Sequence, residues 1–296
     1  MLDSYVRSLV MAGSWQLPSW WDTVDRSSAW QSGVFYGLCA AYSFVGAVAG
    51  VQLLRIELRV PEYGWTTQKV FHLMNLIVDT ARAVVFGFHD RVFTFKPKIF
   101  RVVFLDLPAL LFFSTYTLLV LFWAEIYHQA KNLPTDGLRQ RFLTLNGIIY
   151  FVQLCIWLAE WITMNGASGI TAELFIAVIA LGAALSFLIY GGRLFLELRR
   201  FPIESKGRQR KLREVGFVTA ICFTCFLIRA IVAAWAAFDD TADVDVSYHP
   251  MLNLFYYTIV EILPSLLVHF ILRKLPPKRL TGRHRSAREL GRYRGV

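Results

Sequence analysis

Cysteine is scarce, and the four present (Cys39, Cys155, Cys222 and Cys225) all fall inside apolar blocks. None stands in a polar loop where an oxidising compartment would pair it, so no structural disulfide is expected. Cys222 and Cys225 form C-x-x-C, but no histidine or third cysteine stands beside them, which argues against a redox or metal site. The N-x-[ST] sequon is absent, and so are H-E-x-x-H, the P-loop, G-x-G-x-x-G and any nucleophile–base spacing. Without them, no enzyme, cofactor or metal is expected. There is no internal repeat, no low-complexity segment and no polar stretch large enough to fold as a soluble module. No cleavable signal is expected either, because the first long apolar block begins only near Val34, after a polar, Trp-rich tail.

What is present is hydrophobic. Apolar residues make up 56% of the 296-residue chain, against about 45–50% in soluble domains. The excess comes in blocks of about 20 residues, the length that spans about 30 Å of hydrocarbon as a helix. Seven such blocks run Val34–Leu54, Val70–Phe88, Val102–Tyr127, Phe142–Thr163, Ala172–Leu196, Val215–Phe238 and Met251–Leu272. The second is the weakest, since it carries Asp79 and Arg82. Each must be a helix, because unpaired backbone in lipid is too costly. The expected fold is an all-α membrane protein, a seven-transmembrane-helix bundle of receptor-like architecture. Residues 1–33 form a tail with an interfacial aromatic cluster (Trp15, Trp20, Trp21, Trp30), residues 34–272 the bundle, and residues 273–296 a basic tail.

Lys and Arg fall unevenly about these spans. Of the 31, 23 lie on the side of the odd-numbered loops and the C-terminus, six on the other side and two (Arg82, Arg229) within spans. The positive-inside bias then predicts a lumenal or outside N-terminus and a cytosolic C-terminus. The fifth loop is the richest, with Arg199, Arg200, Lys206, Arg208, Arg210, Lys211 and Arg213 around Phe201, Pro202 and Glu204. Two readings stand: these cations rest on anionic headgroups, or they also form a docking face with the first loop (Glu62, Tyr63, Trp65) and the end of the third helix (Glu125, His128). A net charge of +10 that follows membrane topology gives no reason to expect direct nucleic-acid contact.

Charge inside a span is expensive and is the first place to look for function. Asp79 and Arg82 lie three apart and share a face. Arg229 and Glu261 lie level on adjacent helices. Two acids and two bases read as a neutral buried network, either holding helices in register or binding a ligand, an ion or a proton. Asp106 sits one turn into the third span. Glu125 and His128 read as an interfacial pair, and Glu160 and Glu173 as solvated. The acidic sixth loop (Asp239, Asp240, Asp243, Asp245) fits no calcium-loop spacing. Gly46 and Gly50 form G-x-x-x-G, which suits either a homo-oligomer face or packing within the bundle. Pro108 and Pro264 are expected to kink their helices.

Long irregular runs carry a resemblance: RVPEYGWTTQKVFHLMN (Arg59–Asn75), LLVLFWAEIYHQA (Leu118–Ala130), LPTDGLR (Leu133–Arg139), YGGRLF (Tyr190–Phe195), RRFPIESKGR (Arg199–Arg208), TAICFTCFLIR (Thr219–Arg229) and ILRKLPPKR (Ile271–Arg279). The chain resembles the plant tobamovirus multiplication protein family from about Trp20 to Arg279. The resemblance implies a multi-pass protein of the vacuolar membrane, the tonoplast. It implies a host factor that anchors tobamovirus replication proteins, through their helicase region, to the cytosolic membrane face. It further implies association with an ADP-ribosylation-factor-like small GTPase. The likeness of that family to G-protein-coupled receptors is architectural here. Glu125-Ile126-Tyr127 lacks the arginine of an acid–Arg–Tyr motif, and no tyrosine stands three residues after Pro264. A non-enzymatic scaffold is the main expectation. A ligand receptor signalling through the same loops is the alternative, and a transporter is a third.

Overall fold

A computed structural model describes residues 27–59, 66–92, 98–163, 166–200, 206–238 and 250–272. Seven helices in it are long and apolar enough to cross a membrane. They are α1 (Ser28–Arg59), α2 (Thr67–Gly87), α3 (Lys98–Ala130), α4 (Asp136–Thr163), α5, α6 (Lys206–Ala236) and α7. Helix α5 comprises Gly166–Ser186, a wide π-helical turn at Phe187–Gly191, and Gly192–Arg200. Helix α7 comprises Pro250–Tyr257, a second π turn at Thr258–Ile262, and Leu263–Leu272. Most helices extend beyond the apolar blocks at one end or both, because polar residues continue a helix once it leaves the hydrocarbon.

Local chemistry sets several helix ends. Thr66 caps α2 by accepting the Lys69 N–H on its hydroxyl at 3.2 Å. At the end of α3, Asn132 takes a left-handed conformation, φ 55°. The Leu133 N–H closes back on the His128 carbonyl at 2.8 Å, the pattern of a helix stop, and Pro134 follows it. Pro108 lies within a continuous α3. Pro264 brings no N–H to the α7 ladder. Just before it, the Leu263 N–H reaches back five residues to the Thr258 carbonyl, so the chain widens by one residue where Glu261 stands.

Helix α3 is the most buried span and α4 the least. Around α3 packs an aromatic core in which Phe187, fully buried, meets Tyr116, Trp123 and Phe226. A second core joins α1, α2 and α7 through Phe35, Tyr42, Phe86 and Tyr257. Large apolar side chains such as Phe44, Phe151, Ile162 and Phe238 point outward, as expected where the solvent is lipid. Gly46 and Gly50 face α2: a Cβ on Gly46 would stand 3.3 Å from the Asp79 Cβ, and one on Gly50 3.7 Å from Leu76. G-x-x-x-G is therefore spent on packing inside the bundle.

Gly191 marks the tightest approach. A Cβ there would lie 2.8 Å from the Trp123 ring and 2.7 Å from the Thr219 methyl. Gly191→Ala is expected to lower stability by about 1–2 kcal/mol through overpacking. Thermal unfolding in detergent checks this, and Gly191→Ala combined with Thr219→Ala should recover part of the loss.

Candidate functional site

Glu261 is fully buried at the centre of the bundle, in the π turn of α7. Arg82 of α2 meets it through two nitrogens, Nε to Oε2 at 2.9 Å and Nη2 to Oε1 at 2.7 Å. Arg229 of α6 donates Nη1 to Oε1 at 2.7 Å, and the Tyr42 hydroxyl of α1 donates to Oε2 at 2.7 Å. Four donors from three helices thus saturate one carboxylate. Arg82 also lies over the Tyr257 ring, 4.9 Å from its centroid, and Arg229 over Phe112 at 5.6 Å. With every lone pair engaged, Glu261 is poor as a proton acceptor and good as a clamp on α1, α2 and α6.

Asp79 stands apart. It is buried one turn along α2 from Arg82, it is not among the partners of Glu261, and its Oδ2 meets no hydrogen-bond partner among the described residues. The reason is reach. Arg82 turns to α7, where the widened turn brings Glu261 up to it, rather than back along its own helix.

Asp79 belongs to a longer feature. Lys69, His72, Asn75, Asp79 and Arg82 are all buried and recur at steps of three and four, one face of α2. Opposite run Asn253, Tyr257, Glu261, Ser265 and His269, all buried, at steps of four along α7. A step of four overshoots the 3.6-residue turn, so such a stripe would wind away from α2. The π turn has more residues per turn and brings it back. Between the stripes His72 and His269 stack at 5.2 Å with Nδ1 atoms 3.2 Å apart. Tyr116 of α3 lies 3.3 Å from the Ser265 hydroxyl. Near the end of the stripe, the Lys69 ammonium pairs with Glu57 of α1 at 2.8 Å. Sequence reasoning missed the histidines and Tyr42. The three-and-four spacing of polar residues in α2 was the available signal.

Two recesses open at the ends of the bundle. At the end where α6 finishes and α7 begins, a cavity of about 90 Å³ is lined by Arg82, Asp106, Glu173, Arg229, Tyr256 and Tyr257, among others. Asp106 accepts hydrogen bonds there from Trp157 at 2.9 Å and Gln153 at 3.3 Å. Glu173, expected to be solvated, is half-buried on this wall, because α5 turns it inward. At the other end, the face of the basic loops, a crevice of about 420 Å³ lies between α2, α3, α5, α6 and α7. Phe122, Trp123, Ile126, Leu194, Leu198 and Val215 give it apolar walls, with Gln68 and Glu214 among its polar lining.

The basic face holds the other candidates. Glu125 does not pair with His128. It takes Arg139 Nε at 3.3 Å and the Thr67 hydroxyl at 3.4 Å, while His128 Nδ1 meets the Ala124 carbonyl at 2.8 Å. A helix places residues three apart on one face, but Glu125 is taken by donors from α4 and α2, and His128 by a carbonyl of its own helix. Lys131 bridges to Glu197 at 3.3 Å. The hydrogen bonds it makes, to Tyr127 first and then Glu197, hold its pKa above the usual ammonium value. Arg199 and Arg213 are exposed. Glu62, Tyr63, Trp65, Phe201 and Glu204 lie outside the described residues, as do the side chains of Arg200, Lys206, Arg208, Arg210 and Lys211, the sixth loop, residues 1–26 with Trp15, Trp20 and Trp21, and the C-terminal tail. Trp30, placed in the tail by the sequence, stands exposed in the first turn of α1, because the helix starts before the apolar block. Among the described residues no cluster suited to a metal ion occurs.

Residues 16–287 match the family model described as the THH1/TOM1/TOM3 domain. The chain belongs to this family. It is 63% identical over 266 residues to tobamovirus multiplication protein 1 of Nicotiana tabacum, covering 90% of this chain and 92% of that one. It is 61% identical over 268 residues to the protein of that name from Arabidopsis thaliana, with the same coverage. Tobamovirus multiplication protein 3 of Nicotiana tabacum is 57% identical over 261 residues, covering 88% of this chain and 89% of the relative. No solved structure matches the chain. This member of the THH1/TOM1/TOM3 family has seven helices long and apolar enough to span a membrane, with a buried Arg–Glu–Arg clamp and a recess at each end.

Proposed function

We propose that this protein is a membrane host factor for tobamovirus multiplication. In this reading it is a non-enzymatic scaffold that anchors viral replication proteins, through their helicase region, on the cytosolic face of the vacuolar membrane. The N-terminus lies in the lumen and the basic face in the cytosol, in line with the charge bias. A small GTPase of the ADP-ribosylation-factor-like class docks on the same face, and the loop cations also rest on anionic headgroups.

The observation that supports this most is the apolar crevice on the basic face. A recess with aromatic walls and a cationic surround, including exposed Arg199 and Arg213, suits a helix with an apolar stripe and acidic flanks. Its occupant in this reading is such a helix of the replication protein. Kinship with proteins named for tobamovirus multiplication supports the identity of the partner.

Two variants test the two halves of the surface in a detergent pulldown with the viral helicase region and the GTPase. Leu198→Gln should weaken helicase capture by about tenfold, the loss of one buried apolar anchor. Changing Lys206, Arg208, Arg210, Lys211 and Arg213 to Gln should flatten the salt dependence of capture. Unchanged capture in both variants, with normal expression, would overturn the assignment of this face.

A further inference from the structure

The clamp around Glu261 leaves an imbalance at one end. Glu261 carries one negative charge and its two oxygens are saturated, yet two guanidiniums converge on it. Arg229 gives Glu261 only Nη1, so its remaining donors have no part in the clamp. Both arginines line the 90 Å³ cavity at the end away from the basic loops. Guanidinium donors outside the clamp, on the wall of a small recess open at this end of the bundle, make a receptor for a carboxylate.

The same cavity has an opposite pole. Asp106 from α3 and Glu173 from α5 stand on its wall, and the Tyr256 ring adds an aromatic surface. Carboxylates beside an aromatic favour an ammonium group. Leu105, Ala109, Ile176, Val232, Ala233 and Ala236 add an apolar lining, suited to a methyl or short methylene chain. A volume of about 90 Å³ holds roughly six water-sized groups. Cationic donors, acidic acceptors and small size together define the ligand.

We propose that this cavity binds a small aliphatic amino acid as its zwitterion. The carboxylate sits on Arg229 and Arg82, and the ammonium lies toward Asp106 and Glu173. Five helices contribute to the cavity. Its floor is Arg82 and Arg229, which grip Glu261 of α7, so occupancy bears directly on the contacts that hold α2, α6 and α7 together. The protein is then a receptor for a metabolite on one face and a docking platform on the other. The binding site stands whether or not the partners proposed above are correct.

Full-length protein in lipid nanodiscs, probed with radiolabelled glycine, alanine and 4-aminobutyrate, tests this directly. Acetate and methylammonium serve as competitors that carry one charge each. At least one zwitterion should bind saturably, and each half-ligand should compete at least about tenfold more weakly. Glu173→Gln, which keeps the shape and loses the charge, should weaken binding by about tenfold. Ala233→Phe, which fills the cavity without touching a charge, should abolish binding at an unchanged melting temperature. If Ala233→Phe does not fold, Val232→Trp at the same wall replaces it. Three outcomes overturn the proposal. They are no saturable binding of any zwitterion up to about 10 mM, acetate binding as tightly as the zwitterions, and binding that persists in the filled cavity.

Discussion

Glu261→Gln will leave little correctly folded protein. The substitution keeps size and one carbonyl acceptor but removes the charge that faces two guanidiniums at 2.7 Å each. Both arginines are almost wholly buried, and the Glu261 carboxylate is the acceptor their guanidiniums share. Stranding a buried charge costs about 3–5 kcal/mol. Here one change strands two, so the full range applies. The readout is the yield of monodisperse protein and the melting temperature in detergent. Tyr42→Phe, which removes one donor and leaves the ion pairs, should cost only about 1 kcal/mol. A variant in which Arg82, Arg229 and Glu261 become Met, Met and Leu should recover most of the stability, since an apolar replacement removes the stranded charges with their partner. If Glu261→Gln melts within about 1 kcal/mol of the parent, the clamp is not what holds these helices together.

Phe187→Ala is expected to cost about 2–3 kcal/mol. Phe187 is fully buried and packs against Phe226 at 5.7 Å, Trp123 at 5.6 Å and Tyr116 at 6.2 Å between ring centroids. In water-soluble cores such a truncation loses both transfer energy and packing, and costs about 3–5 kcal/mol. In a bilayer the unfolded reference is itself apolar, so the transfer contribution largely drops out and the cavity remains. The loss should be visible as lowered stability in a denaturant series in mixed micelles. Phe187→Leu, which leaves a smaller void, should lie about midway. A cost below about 1 kcal/mol would show that the π turn at Phe187–Gly191 collapses to fill the space.

Much of the fold was legible because lipid imposes strict terms. Apolar blocks of sufficient length mark the spans, and they recur as seven helices at closely matching places. The ends of those helices were less legible. Block boundaries follow the hydrocarbon, whereas helix boundaries follow caps such as Thr66 and stops such as Asn132. The candidate site was legible in part. Arg82, Arg229 and Glu261 stood out because charge in an apolar run is rare, but nothing local said that Glu261 takes both arginines or that Asp79 takes neither. His72 and His269 passed unnoticed because a histidine in a helix carries no pairing information until the opposite helix is placed. Glu125 and His128 looked like a pair by spacing alone, and their neighbours decided otherwise.

By itself the sequence determined the element type, the number of spans, the asymmetry of positive charge and which charged residues must be sheltered. Those follow from composition over one helix length, a local property. Only the tertiary structure decided which charges meet, that G-x-x-x-G faces α2, and that Pro264 comes with a widened turn. It also decided that the bundle leaves an apolar crevice at one end and a charged cavity at the other. These depend on the relative rotation of helices that are distant in the chain. A shift of one residue in the π turn of α7 would carry Glu261 off Arg82, which no reading along a single helix can foresee.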